Sequence, residues 1–311
     1  MRILITGASG LLGINLALLC MPSAEASRRH IVYGVVNSHP LNTDAFTVLQ
    51  ADLLKPGAVE RVLDEAQPEW VIHCAALANL EACEQNPDLA WELNTALPEK
   101  LASLCRKGGA RLLHVSTDAV FDGSSGDYSE DDTPNPVNLY ARTKLEAESV
   151  VLASYHEAIV ARINLFGWSL TGKRSLAEFF FNNLQAGNRV MGFTDVYFCP
   201  LLVNDLAQIF LKMLGKGLRG LYHVVSPECL SKYAFGVAIA QKFGFDPALI
   251  SPTSVREAGL GATRSPQLTL RIDKLIHDLE QSPPDISTSL ERFYTLYQQG
   301  YPQKLRAMVD W

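Results

Sequence analysis

Tyr140 and Lys144, in the run Tyr140-Ala141-Arg142-Thr143-Lys144, stand four residues apart. On a helix that spacing puts both side chains on one face, one above the other. An ordinary phenol titrates at about 10, far from a useful proton donor and acceptor at neutral pH. An ammonium one turn away would stabilise the phenolate and lower that value, so the tyrosine could exchange a proton with a carbonyl or an alcohol. An exposed Tyr and Lys on an amphipathic helix would show the same spacing, so the pair needs support from elsewhere in the chain.

Two other segments supply it. Leu113-His114-Val115-Ser116-Thr117-Asp118-Ala119 carries a strand into a hydroxyl pair. In a parallel sheet, ligands gather at the carboxyl ends of the strands. Thr117 is the first choice to hold a reacting oxygen beside the tyrosine and Ser116 the second, with a turn-capping pair as the plain alternative. Near the start, Ile3-Leu4-Ile5 runs into Thr6-Gly7-Ala8-Ser9-Gly10-Leu11-Leu12-Gly13. An apolar strand opening into three glycines at three-residue spacing reads as a dinucleotide turn. Gly7 permits the tight turn, Gly10 lets backbone approach a pyrophosphate, and Gly13 lets the next helix pack close. The spacing is GxxGxxG rather than the commoner GxGxxG.

These residues need a scaffold that brings strand ends together. Apolar strand-like runs are expected at 3–5, 31–36, 48–50, 70–74, 111–116 and 158–163, with helices at 56–66, 88–106 and 138–153 between them. Fully apolar strands alternating with helices predict an α/β fold, a Rossmann-type doubly wound parallel sheet covered on both faces. The cofactor domain is expected over residues 1–165. Residues 166–311 are expected to form a smaller, irregular substrate domain, with some segments returning to the sheet. Helices are expected there at 176–186, 204–214, 232–243 and 287–299, and strands at 189–191, 197–202 and 220–225.

The 311 residues suffice for a sizeable core, and 48% hydrophobic with 19% charged content excludes a disordered chain. A net charge of −6 without a basic stripe argues against nucleic acid. No apolar run is long enough for a membrane span. Arg2, the apolar stretch to Met21 and Ala24-Glu25-Ala26 imitate a secretory leader, but three glycines and Asn15 interrupt the stretch. Cys20, Cys74, Cys83, Cys105, Cys199 and Cys229 form no CxxC pair and are expected as buried free thiols in a reducing compartment, the cytoplasm. The seven histidines form no HxxxH pair, so no metal site is expected.

Glycine turn, Ser-Thr strand end and YxxxK, in that order, resemble the extended short-chain dehydrogenase/reductase superfamily. Within it the chain looks most like the dTDP-4-dehydrorhamnose reductase family, through Thr6–Gly13, Ala51-Asp52-Leu53, His73-Cys74-Ala75-Ala76, Glu92-Leu93-Asn94, Ser116–Gly123 and Asn138–Glu146. The resemblance implies an NAD(P)-dependent oxidoreductase acting on a 4-keto nucleotide sugar. It makes Tyr140 the acid–base, Lys144 its partner and the holder of the nicotinamide ribose, and Thr117 the group on the substrate oxygen. It places Gly7, Gly10 and Gly13 at the pyrophosphate, Asp52 and Leu53 at the adenine, and Ala75 and Ala76 along the cofactor cleft, with Ser9, Leu11, Leu12, Tyr140 and Lys144 also binding the cofactor. Asn94 would fix a helix and the loop facing the site. Arg264, in Thr263-Arg264-Ser265-Pro266, would bind the substrate diphosphate. A homodimer is compatible with the family.

Ala119 departs from the pattern. Related dehydratases carry Glu there, as part of a Thr-Asp-Glu triplet, and the reductases usually carry Tyr. The missing Glu argues against dehydration, and the missing Tyr leaves the sugar open. After the second strand stands Val35-Val36-Asn37-Ser38-His39, with no acid for a ribose 2′-hydroxyl. That favours NADP(H), with NAD(H) still admissible; Arg28 and Arg29 are expected to point elsewhere. The chain is also similar to the regulatory beta subunit of methionine adenosyltransferase, which makes a non-catalytic, cofactor-binding subunit the alternative. An epimerase of the same superfamily is the third reading.

Overall fold

The six strands expected in the first half are all present: β1 (Arg2–Thr6), β2 (Ile31–Val36), β3 (Thr47–Gln50), β4 (Trp70–His73), β5 (Arg111–Thr117) and β6 (Ile159–Ile163). Eight short strands follow: β7 (Leu165–Phe166), β8 (Val190–Phe193), β9 (Tyr197–Phe198), β10 (Leu201–Leu202), β11 (Gly220–Val224), β12 (Leu230–Ser231), β13 (Ile250–Thr253) and β14 (Gln267–Leu268). The computed structural model describes residues 1–20, 30–257 and 265–309. Ala24–Ala26, Arg28, Arg29 and Arg264 lie outside the described residues.

The main sheet has seven strands in the order β11-β6-β5-β4-β1-β2-β3, every neighbouring pair parallel. The order reverses between β1 and β4, which opens a crevice at their carboxyl ends. Register lines those ends up: Thr6 pairs with His73, and Thr117 pairs with Ile163. The sheet is therefore doubly wound, and its last strand, β11, comes from beyond residue 165.

Helices cover both faces. They are α1 (Leu11–Leu19), α2 (Ala58–Ala66), α3 (Leu80–Gln85), α4 (Pro87–Trp91), α5 (Leu97–Gly108), α6 (Leu139–Ser154), α7 (Leu176–Gln185), α8 (Val203–Lys216), α9 (Lys232–Phe243), α10 (Asp273–Leu279), α11 (Ile286–Gln298) and α12 (Tyr301–Arg306). Strand alternation divides the core. Ile3, Ile5, Ile72 and Leu113 pack with α1 and α8, while Leu4, Val71 and Leu112 pack with α2, α5 and α6. Helix α1 is buried continuously from Leu12 to Ala17 because it lies between the sheet and α8. That burial accounts for the long apolar stretch at the start of the chain. Full burial of a side chain such as Ile14 or Leu16 contributes roughly 1.5–3 kcal/mol. Aromatic residues from the second half continue the same core, with Trp168 stacked on Phe293 at 4.1 Å between ring centres.

Three expectations need correction. The helix expected over 88–106 is α4, a π-turn over Glu92–Ala96 and α5. Pro98 has no N–H to offer the Asn94 carbonyl four residues back, so the ladder widens there. The single strand expected over 197–202 is split at Cys199-Pro200, since proline cannot donate to a ladder. Finally, Cys199 and Cys229 form a disulfide. The fold brings together two cysteines 30 residues apart, with Cα atoms at 4.1 Å, where no local pattern announces the pair. Cys20, Cys74, Cys83 and Cys105 are free. Among the described residues, no helix is long and apolar enough to cross a membrane.

Candidate active site

The glycine turn closes the gap between β1 and α1 at the point where strand order reverses. Gly7 has φ +67°, and a Cβ there would lie 2.8 Å from the Ala75 backbone nitrogen. Gly13 lies over the turn, and a Cβ on it would come within 2.2 Å of the Gly7 carbonyl oxygen. The Gly10 N–H donates to that carbonyl at 2.9 Å. Gly10 is the N-cap of α1 and offers no side-chain cap, so first-turn N–H groups face the crevice.

Two adjoining cavities flank the turn. The first, of about 230 Å3, is lined by Gly7, Ser9, Gly10, Asp52, Leu53, Ala75 and Ala76 together with the end of β2. That end is Val36-Asn37-Ser38-His39, and it carries no acid. Asp52 does two jobs, because its carboxylate also accepts the Leu54 N–H at 3.1 Å and so holds the turn. The Ala75 N–H is committed to Thr6 Oγ1 at 3.2 Å. The second cavity, of about 630 Å3, is lined by Leu11, Leu12, Gly13, Thr117, Tyr140 and Lys144, among others. Gly7, Gly10, Cys74, Ala76 and Arg174 line both. A groove of two chambers with a glycine turn at their junction has the shape of a dinucleotide site with room for a second ligand. A side chain on Gly7 or Gly13 would strike backbone, so the turn packs tightly and leaves the uncapped α1 N–H groups open to the groove, a donor set that fits a pyrophosphate.

Helix α6 presents the tyrosine and the lysine, and four contacts fix it. Asn138 caps it by accepting the Ala141 N–H at 2.9 Å. Asn94, in the π-turn, donates to Thr143 Oγ1 at 3.1 Å and exchanges hydrogen bonds with the Leu77 backbone, so it ties helix to loop as expected. Thr95 donates to the Thr143 carbonyl at 2.9 Å. Buried Glu148 pairs with buried Arg162 of β6 at 2.7 Å. Such a pair locks geometry more than it adds net stability.

The two hydroxyls at the end of β5 are not equivalent. Ser116 Oγ donates to Glu148 Oε1, which commits it to the buried ion pair. Thr117 Oγ1 accepts the Ala119 N–H and donates to Asp118 Oδ1, both at 3.2 Å, and it hydrogen-bonds Tyr140. Burial pushes the Asp118 carboxyl up to about 6, against a 2.6 Å hydrogen bond from Asn164.

Tyr140 departs from the expected electrostatics. Burial pushes its phenol up to about 12, with the Thr117 hydrogen bond acting the other way. Lys144 does not offset this, because its ammonium is turned to β5. It donates to the Val115 carbonyl at 2.7 Å and lies 3.2 Å from His114 Nε2. Burial brings Lys144 down to about 8. The tyrosine is thus fully protonated at neutral pH and suits the role of proton donor. Tyr140, Thr117 and Lys144 line one chamber, an arrangement able to polarise a carbonyl and protonate its oxygen.

Arg174 escaped sequence reading. It precedes the Ser175/Glu178 capping box of α7, and only the tertiary fold brings that loop over the groove.

Comparison with known proteins agrees with this geometry. Residues 1–299 match the family model described as RmlD substrate binding domain. A dTDP-4-dehydrorhamnose reductase from Mycobacterium tuberculosis is 34% identical over 271 residues, 85% of this chain and 83% of that protein. The methionine adenosyltransferase 2 subunit beta of Xenopus tropicalis is also 34% identical, over 85% of this chain and 78% of that one. A crystal structure of dTDP-4-dehydrorhamnose reductase from Bacillus anthracis, in complex with NADP, superposes with a TM-score of 0.79 at 24% identity, covering 94% of this chain and 98% of that one. A doubly wound sheet, a glycine cradle at its switch point and these matches along nearly the whole sequence together make the chain a member of the RmlD substrate-binding-domain family.

Proposed function

We propose that the chain is an NAD(P)H-dependent reductase of a 4-keto nucleotide sugar, with dTDP-4-dehydro-L-rhamnose as the first substrate to test. The observation that carries the reading is the second chamber, where Thr117, Tyr140 and Lys144 line one wall system with the glycine turn. When bound, the nicotinamide supplies the hydride. Gly7, Ser9, Gly10, Leu11, Leu12 and Gly13 hold its pyrophosphate, Asp52 and Leu53 meet the adenine, and Ala75 and Ala76 line the cleft between. Thr117 Oγ1 turns its one proton from Asp118 to the keto oxygen and orients it. Tyr140 gives its phenolic proton to that oxygen as the carbon is reduced. Lys144, with Nζ held by the Val115 carbonyl and His114, offers its remaining N–H to the nicotinamide ribose and its positive charge to the phenolate only at longer range. The lack of an acid after β2 supports NADP(H) over NAD(H), and the NADP-bound relative points the same way.

The sugar would lie between the carboxyl ends of β5 and β6 and the segments after residue 166, with Arg264 at its diphosphate. The free thiols Cys20, Cys74, Cys83 and Cys105 fit a reducing cytoplasm, whereas the Cys199–Cys229 bridge is of a kind rare there. A homodimer is compatible with the reading, and sedimentation would report it. The purified protein should oxidise NADPH when given dTDP-4-dehydro-L-rhamnose, and Tyr140→Phe should stop it. Cofactor binding without turnover on any keto sugar nucleotide sinks the proposal. One observation favours a second reading, a non-catalytic cofactor-binding subunit: the identity to the methionine adenosyltransferase subunit equals that to the reductase. Stable co-purification with a partner enzyme, and no turnover, would choose it.

A further inference from the structure

We propose that Arg174 is the cation that clamps the dinucleotide pyrophosphate where the two chambers meet at the glycine turn. The inference rests on the cofactor reading given above. The glycine turn and the α1 N-terminus offer backbone dipoles but no formal charge, and the chain carries −6 overall. A pyrophosphate brings two negative charges into this groove. Among the described residues, Arg174 is the only lysine or arginine lining the first chamber. In the second chamber the other is Lys144, whose ammonium is already tied to Val115 and His114.

Position selects which phosphate Arg174 meets. Asn37, Ser38 and His39, at the end where a 2′-phosphate would lie, line the first chamber alone. Arg174 lines both chambers, together with Gly7 and Gly10, so it stands at their junction. The junction is where a dinucleotide passes from its adenosine half to its nicotinamide half.

The loop holds Arg174 in place yet leaves its side chain unengaged. Its backbone N–H donates to buried Glu178 at 2.9 Å. The Gly172 carbonyl accepts from Asn182 at 2.7 Å, and Ser175 Oγ donates to the Gly167 carbonyl at 2.7 Å. Among the described residues, the exposed guanidinium makes no hydrogen bond or ion pair. A planar guanidinium on a fixed backbone can engage two phosphate oxygens at once.

The test is titration of the full-length protein with NADPH and, separately, with NADH, followed by tryptophan fluorescence or calorimetry. Arg174→Ala should raise both dissociation constants about tenfold or more, by similar factors. Arg174→Lys should recover part of the loss, as a point charge without the fork. Binding to the alanine variant should also depend less on salt than binding to the wild type. Equal affinity of wild type and Arg174→Ala for both cofactors overturns the proposal. So does a loss confined to NADPH, which would move Arg174 to the 2′-phosphate, or a loss confined to the sugar nucleotide. A wild-type protein that binds neither cofactor overturns the underlying cofactor reading, and that result is visible before any variant is made.

Discussion

Lys144 Nζ lies 3.2 Å from His114 Nε2, and the contact fixes the chemical state of the histidine. An ammonium has no lone pair, so Nε2 must accept and the ring proton must sit on Nδ1. Burial and the neighbouring lysine hold His114 well below its usual range, which keeps it neutral and able to accept. His114→Phe removes the acceptor and leaves the ammonium with the Val115 carbonyl. We expect kcat/KM to fall about tenfold and its basic limb to move to lower pH. His114→Gln, with an amide oxygen to accept, should restore most of both. A pH profile unchanged in the Phe variant would show that the contact does not tune the lysine.

The two hydroxyls at the end of β5 should separate cleanly. Thr117→Val removes the group facing the chamber and should lower kcat by about 100-fold. Ser116→Ala removes a donor to the Glu148–Arg162 pair and should cost about 1–2 kcal/mol of stability, with kcat within about threefold of wild type. Steady-state kinetics and urea melts on both variants decide the matter, and the reverse pattern would assign the substrate oxygen to Ser116.

Tyr140→Phe should lower kcat by about 1,000-fold while NADPH affinity stays within about threefold. The aromatic ring remains in place and only the proton is lost. Single-turnover rates and equilibrium titration together test this, and retained turnover would make Tyr140 a bystander.

Gly13→Ala should abolish dinucleotide binding and cost about 1–3 kcal/mol, because its Cβ would meet the Gly7 carbonyl, which cannot swing aside. Gly108→Ala is the control. It sits near the end of α5 with nothing within 4 Å of the added carbon, and it should be neutral or stabilising by up to about 1 kcal/mol. Calorimetric melts and NADPH titration of both variants give the answer.

Acid should destabilise the protein well above the ordinary carboxylate range. Burial brings His73 and His223 down to about 3, and His114 is also lowered. Each lowered histidine stays neutral when folded but takes a proton when unfolded below about 6.5, so stability falls as pH falls through that window. Asp118, pushed up to about 6, works in the opposite direction between about 6 and its usual value. Three histidines against Asp118 and Asp205, whose carboxyl burial also raises, leave a net loss of stability as pH falls from about 6.5 to about 5. Urea midpoints at several pH values check this, and a flat profile would mean the histidines are solvated.

Much of the fold was legible because the parallel sheet is buried on both faces. A strand such as Ile3–Ile5 must then be apolar throughout, and glycines such as Gly7 and Gly13 mark where backbone meets backbone. What stayed hidden depended on long-range contact. The Cys199–Cys229 bridge and Arg174 carry no local signature, since each acts on a segment distant in sequence. The π-turn around Asn94 follows from one proline inside an otherwise regular helical pattern. The direction of the Tyr140 shift was misread because spacing put Lys144 one turn away, while the ammonium in fact bonds the neighbouring strand. Residues 258–264, including Arg264, lie outside the described part of the chain.

Strand β11 has a consequence for anyone cutting this protein into pieces. It pairs along its length with β6, from Gly220 against Ile159 to Val224 against Ile163. Helix α8, just before it, covers α1. Ending the chain at residue 165 would leave β6 as a bare outer strand with an open row of N–H and C=O groups, and would strip the apolar side of α1. Such an edge recruits other chains. The fragment that carries Gly7, Gly10 and Gly13 should therefore aggregate when made alone, so the first 165 residues are not a separable module, and the later half is part of what shields their edge.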